Sequence, residues 1–359
     1  MQHVLNLRPV LKSSATVATA AIVALATVAA VAAPALPAYG ADPQQTSVSG
    51  LSSGAFMATQ LQVAYSGTVV GAGIVAGGPY YCAADAGLTY ASICMGWLPM
   101  EPPNAAVMLN QAKGFAKGQI DPLSNLIRRR VYVFSGTYDT VVFQRAVDAT
   151  HSFFRLAGMA PAQLNYVHTL SAGHALITPT YGSECAANTD PYINRCTVGG
   201  KGYDQAGELL KHIYGPLSPR AKAPTGKIVS FDQSTFASAA ARMAQTGYLY
   251  VPQACTAVGA QCKVHVALHG CLQSAESVGN QFYTDAGYNH WADTNKMLVL
   301  YPQVNKSDVP QTLADPLHSH SNPKGCWDWW GYTGADYAWK TSSQMTAIMA
   351  MVDQLTKSR

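Results

Sequence analysis

Charged side chains are scarce in this sequence, at 12% of 359 residues, and those present nearly cancel. Two of the 23 basic residues, Arg8 and Lys12, and none of the 19 acidic ones precede residue 41, so the remainder carries a net charge of about +2. Such a surface has no field to hold a polyanion, and a nucleic-acid partner is excluded on that ground. No Cys-x-x-Cys spacing occurs and the ten histidines do not cluster with cysteines, so neither a zinc site nor any other metal is expected. His318 and His320, an isolated HxH pair on an irregular stretch, are too few to make a metal enzyme. The chain also lacks internal repeats and any Ser/Thr/Pro-rich linker that could tether a separate binding module.

A long, strongly apolar run is missing as well. Residues 15–33 carry no charge but are diluted by Ala and Thr, follow Arg8 and Lys12, and are interrupted downstream by Pro34 and Pro37. This is the pattern of an export signal rather than a membrane anchor. Small residues at Ala38, Gly40 and Ala41 set the expected cleavage before Ala41. The reading is a signal over residues 1–40 and one domain over 41–359, a monomer without stable membrane insertion after cleavage, in the medium or the periplasm.

What the exported part does have is cysteine. All eight lie there, and an even number in an oxidising compartment points to disulfides. Three pairs are close in sequence. Taking them as Cys82–Cys94, Cys185–Cys196 and Cys255–Cys262 leaves Cys271–Cys326, which closes the longest loop.

From Thr46 onward short β-branched runs alternate with longer amphipathic stretches, the pattern of a mostly parallel sheet flanked by helices. Strands are predicted at 46–48, 69–76, 131–134, 164–169, 228–231, 248–251, 264–268 and 297–301, and helices at 55–65, 105–116, 142–156, 204–213 and 336–355. Residues 302–334, rich in Pro, Gly and Trp, read as an extended loop over the domain.

Gly50-Leu51-Ser52-Ser53-Gly54 fits the G-x-S-x-G nucleophile elbow, between a short β-run and a helix-like stretch. Its phase selects Ser52. A serine hydroxyl needs a base held by a third group. Arg130 to Asp139 is a strand entering a Gly turn that ends on a carboxylate, and the next strand leads into Ser171-Ala172-Gly173-His174. Ser52, Asp139 and His174 thus follow the Ser, Asp, His order of α/β-hydrolases. The oxyanion needs two backbone N–H donors: one is the amide of Ser53, the other that of Cys271, after the strand ending in His269-Gly270. In the ordinary hydrolase order that strand precedes the serine, and a circular permutation accounts for its late position. The loop Cys326-Trp327-Asp328-Trp329-Trp330 is poor in places to bury three indoles, and at least one is expected to be exposed.

Taken together, GLSSGAFMA, SGTYDTVV, SAGHA, VALHGC and NPKGCWDWWGY resemble the single-domain, circularly permuted poly(3-hydroxybutyrate) depolymerases, esterases of the α/β-hydrolase fold. The resemblance spans nearly all of residues 45–357. It implies Ser52 as nucleophile, Asp139 as acid, His174 as base, the Ser53 and Cys271 amides as oxyanion donors, and substrate contact by Trp327, Trp329 or Trp330. It also implies a solid polyester or its oligomers as substrate, and no cofactor. Two other readings use the same residues differently. A feruloyl or acetyl-xylan esterase would share fold and triad, and a non-catalytic surface protein would use the Trp loop alone for binding.

Overall fold

The computed structural model describes residues 33–85, 90–307 and 321–359. Most of the expected export signal, and His318 and His320, lie outside the described residues. Eight strands form the main sheet: β1 (Thr46–Leu51), β2 (Val69–Val75), β3 (Arg130–Phe134), β4 (Leu164–Val167), β5 (Lys227–Asp232), β6 (Thr246–Val251), β7 (Lys263–Leu268) and β8 (Met297–Tyr301). Across the sheet they lie in the order β5, β6, β8, β7, β1, β2, β3, β4. Both contacts of β6 are antiparallel and every other pairing is parallel.

The central strands are buried along their whole length, as in β1 and β8. That explains why they read as continuous apolar runs rather than alternating ones: helices cover both faces of a parallel sheet. Helix α1 (Ser53–Ala64) is the extreme case, with all twelve residues buried. Around it stand α2 (Ala105–Phe115), α3 (Gln144–Leu156), α4 (Gln205–Tyr214), α5 (Tyr288–Thr294) and α6 (Ser343–Thr356). One register matters most for function. Thr46 pairs with Val264 and Gly50 with Leu268, so the carboxyl ends of β1 and β7 finish side by side although more than half the chain separates them.

The helix expected over 336–355 begins only at Ser343. Before it the backbone is spent elsewhere: the Tyr337 and Ala338 carbonyls accept from Gln60 Nε2 and Tyr80 Oη, and the Lys340 amide donates to the Gln119 carbonyl. A three-stranded sheet of Leu176–Thr178, Ser183–Glu184 and Ile193–Arg195 was invisible to periodicity because its strands span two or three residues. Residues 34–40, assigned from sequence to the export signal, are folded onto the domain. Leu36 and Tyr39 are buried, the Pro34 carbonyl accepts from the Asp232 amide at 2.8 Å, and Tyr39 and Ala41 donate to the Leu355 carbonyl.

The centre of the sheet is polar at one point. His265 of β7 bonds Ser47 Oγ at 2.7 Å and Ser49 Oγ at 2.8 Å, and these serines reach Tyr214 and Tyr288. All of these partners are neutral, and burial pushes the His265 pKa down to about 3. His269, just beyond β7, is lowered to about 4, again chiefly by burial. An unfolded histidine takes its proton near pH 6.5, so between there and the folded values the unfolded chain binds more protons and stability is lost as the pH is lowered. Each histidine contributes a slope of up to about 1.4 kcal/mol per pH unit. The thermal midpoint should therefore change little above pH 7.5 and drop between pH 6.5 and 4, with a shallower drop in His265→Gln. A midpoint that holds steady down to pH 4.5 would contradict this account.

Candidate active site

The chain leaves β1 through Ser52, whose φ of +56° lies in the left-handed region, and enters α1 at the next residue. A non-glycine residue held there costs about 1–3 kcal/mol and persists only where its surroundings enforce it. Here the enforcement is visible in two glycines. A Cβ on Gly50 would collide with the Gly54 carbonyl group, and one on Gly54 would collide with the Leu268 and His269 carbonyls at the end of β7. The two glycines of the elbow thus let strand, helix and neighbouring strand close on one point, with Ser52 at the corner, buried from bulk solvent but lining a cavity.

Asp139 and His174 meet beside it. Asp139 Oδ2 accepts from His174 Nδ1 at 2.8 Å, and Oδ1 accepts from the Val141 and Val142 amides at 2.9 Å. Both side chains are buried. The loops carrying them are stitched together by Asn188, which no sequence motif signalled. Its Oδ1 accepts from the amides of His174 and Thr140, and its Nδ2 donates to the Tyr138 carbonyl. Gly173 donates to the Cys185 carbonyl, so the Cys185–Cys196 disulfide backs the histidine loop.

Ser52 and His174 open into one cavity of about 410 Å³, together with Ser53 and Cys271. Its walls are mostly apolar, with Phe56, Met95, Val141, Trp329 and Trp330 among them. The structure forms the four bridges Cys82–Cys94, Cys185–Cys196, Cys255–Cys262 and Cys271–Cys326. The last joins the end of β7 to the tryptophan loop. None of the three indoles in that loop is exposed, contrary to expectation: Trp329 is buried and stacks on Phe56 at 4.4 Å, and Trp330 is half-buried and stacks on Tyr90 at 5.9 Å. Trp327 is not brought to the cavity; it is fully buried and packs against the His269 ring at 5.4 Å.

Asp328 anchors the turn that carries Trp330. Its Oδ1 accepts from the amides of Trp330, Gly331 and Tyr332, and its Oδ2 from the amide and hydroxyl of Thr333. This turns the loop back on itself. Burial raises the Asp328 pKa, the donors opposing the shift. Among the described residues no cluster of His, Cys, Asp and Glu suited to a metal occurs, and no helix is long and apolar enough to cross a membrane.

A mostly parallel sheet with a strained serine corner at a central strand end, beside a His–Asp pair, defines an α/β-hydrolase. The chain belongs to the poly(3-hydroxybutyrate) depolymerase family: it is 41% identical to a polyhydroxybutyrate depolymerase of Talaromyces funiculosus, over 88% of this chain and 91% of that protein. It is 43% identical to a poly(3-hydroxybutyrate) depolymerase of Delftia acidovorans, over 88% of its own length but only 60% of that relative's. The crystal structure of PHB depolymerase from Penicillium funiculosum superposes with a TM-score of 0.80 at 38% identity, over 90% of this chain and 98% of that one. A serine-to-alanine variant of a PHB depolymerase complexed with an R3HB trimer matches equally well. No protein-family model matches the chain.

Proposed function

We propose that the protein is a secreted, monomeric serine esterase that hydrolyses poly(3-hydroxybutyrate) or a related polyhydroxyalkanoate to short hydroxyacids. The observation that carries this reading is that Ser52, His174, Trp329 and Trp330 line one cavity. Asp139 holds the imidazole through Nδ1 and leaves the other ring nitrogen to take the Ser52 proton. The serine oxygen attacks the ester carbonyl, and the oxyanion rests on the Ser53 and Cys271 amides. The alcohol end of the polymer departs with the proton from His174, and water, deprotonated by the same ring, releases the acyl group from Ser52. As the first amide of α1, Ser53 N–H has no carbonyl one helical turn back to satisfy it, which suits it to this task. No cofactor enters these steps.

The sheet order supports an α/β-hydrolase entered in mid-order: the strands after residue 226 occupy one half and those before residue 168 the other. Four disulfides fit export to an oxidising compartment. The packing of residues 34–40 supports cleavage upstream of Pro34 rather than before Ala41, because the later cut would remove buried Leu36 and Tyr39. Amino-terminal sequencing of the exported protein should read a start at or before Pro34, and a start at Ala41 would refute the upstream site.

A polyester offers ester and methyl groups and little charge, so contact must come from apolar burial, at about 25 cal/mol per Å². Trp97 lines the cavity and is about half exposed, and Met100, three residues on, is 91% exposed. With purified protein and polymer granules, Trp330→Ala should lose most release of soluble hydroxyacid while keeping cleavage of p-nitrophenyl butyrate within a few-fold. Equal loss of both activities would make the loop structural. Faster cleavage of feruloyl esters than of hydroxybutyrate oligomers would favour a feruloyl esterase instead.

A further inference from the structure

His269 sits at the end of β7, fully buried, and the catalytic steps above do not use it. Its two ring nitrogens are both engaged, and with definite roles. Nε2 lies 3.0 Å from the Val304 amide, and a backbone amide can only donate, so Nε2 carries the lone pair. The proton is then on Nδ1, 2.7 Å from the Gly270 carbonyl, which accepts it. Trp327 at 5.4 Å and Phe282 at 6.1 Å enclose the ring. Burial lowers its pKa to about 4, consistent with a neutral ring at physiological pH.

We propose that His269 is a positioning residue that fixes the Gly270–Cys271 peptide so that the Cys271 N–H is presented to the ester oxyanion. In a planar trans peptide the carbonyl and the following N–H point in opposite directions. Holding the Gly270 oxygen toward His269 therefore turns the Cys271 N–H the other way, and Cys271 lines the same cavity as Ser52. Gly270 lies against the nucleophile: a Cβ added there would sit 3.4 Å from Ser52 Cβ. Among the described residues the Cys271 N–H finds no acceptor. The peptide needs a lock because glycine lets its flanking peptide planes rotate cheaply. The amide of Gly270 is already held by Gln273 Oε1 at 2.8 Å, but the rotation of the next peptide is opposed at its carbonyl by His269. Trp327 thereby acquires a role in the site without touching substrate, as one wall of the pocket that holds the imidazole.

The inference rests on Ser52 being the nucleophile and Cys271 an oxyanion donor, so Ser52→Ala is run in parallel. His269→Phe keeps a flat ring without hydrogen bonds, whereas in His269→Asn the amide nitrogen is as many bonds from the backbone as Nδ1 and can still donate to Gly270. With p-nitrophenyl butyrate, His269→Phe should lower kcat about 10- to 100-fold with KM within about two-fold, the scale expected for a misplaced oxyanion donor. Inhibition by n-butylboronic acid, whose serine adduct places an oxygen in the oxyanion position, should weaken in parallel, and His269→Asn should recover most of both. If His269→Phe does not fold, His269→Asn is compared with His269→Gln, which reaches toward Val304 instead; Asn should be the more active. The proposal is overturned if His269→Phe keeps kcat within three-fold, if kcat and KM fail together, or if Asn is no better than Phe or Gln. A Ser52→Ala variant that remains active would instead overturn the reading of the site beneath it.

Discussion

Ser52→Ala should retain less than about a thousandth of the activity on a soluble ester, since loss of a triad member normally costs several powers of ten in kcat. Its thermal midpoint should stay within a degree or two of the parent protein. The two expectations come from the same geometry. The strain at Ser52 is in the backbone, enforced by the close approach of Gly50, Gly54 and the end of β7, and it is unchanged when the hydroxyl is removed. The Ser52 side chain itself fills little core volume, so its loss opens no large cavity. Activity assays and calorimetry on one preparation check both halves. More than about a hundredth of the activity surviving would transfer the role to Ser53 or to a different mechanism.

Removing the Cys271–Cys326 bridge as a Ser/Ser pair should produce the largest loss of stability among the four disulfides. It spans 55 residues, against 7 for Cys255–Cys262. In the chain-entropy account these separations correspond to about 4 and about 2 kcal/mol, respectively. The first pair should also be the one that lowers turnover. Cys271 carries an oxyanion amide in the proposed mechanism, and Cys326 is locked to Asn322 by two hydrogen bonds of 2.8 Å and accepts from Tyr332 at 2.7 Å. Cutting the bridge frees the tryptophan loop and the end of β7 together. Chemical denaturation of both Ser/Ser variants, with kcat measured on each, tests this; equal stability losses, or a normal kcat without Cys271–Cys326, would show that the hydrogen bonds hold the loop unaided.

The parts of this molecule that were legible in the sequence are those written in local pattern. Each of the eight strands of the sheet coincides with an apolar or β-branched run, and the elbow announces itself because two glycines and a serine at fixed spacing are what three crowded backbone segments require. Asp139 and His174 could be picked out because strand ends followed by Gly turns deliver side chains to one edge of a parallel sheet. What was hidden depends on partners far along the chain. Asn188 looks like an ordinary loop residue until the Asp139 and His174 loops arrive on either side of it. Trp327, Trp329 and Trp330 look equivalent in a loop without periodicity. Only two of them line the cavity, and the turn that follows is held by Asp328, whose five donors all lie within five residues but signal nothing on their own. The late start of α6 is similar, because residues ahead of it give their backbone groups to Gln60, Tyr80 and Gln119.

The complete burial of α1 bears on how the protein comes apart. A helix buried on every side draws its stability from the packing around it and not from forming alone in water, so α1 must assemble with the sheet around it rather than before it. Nor can it open locally, since any fraying of its first turn pulls on β1 and β7 at the centre of the fold. Its amide hydrogens accordingly belong to the slowest-exchanging class, those released only when the whole chain unfolds. Inactivation by heat is then expected to have no early, private step at the Ser52 corner: activity should persist until the molecule as a whole is lost, and its lifetime should be set by the rate of global unfolding.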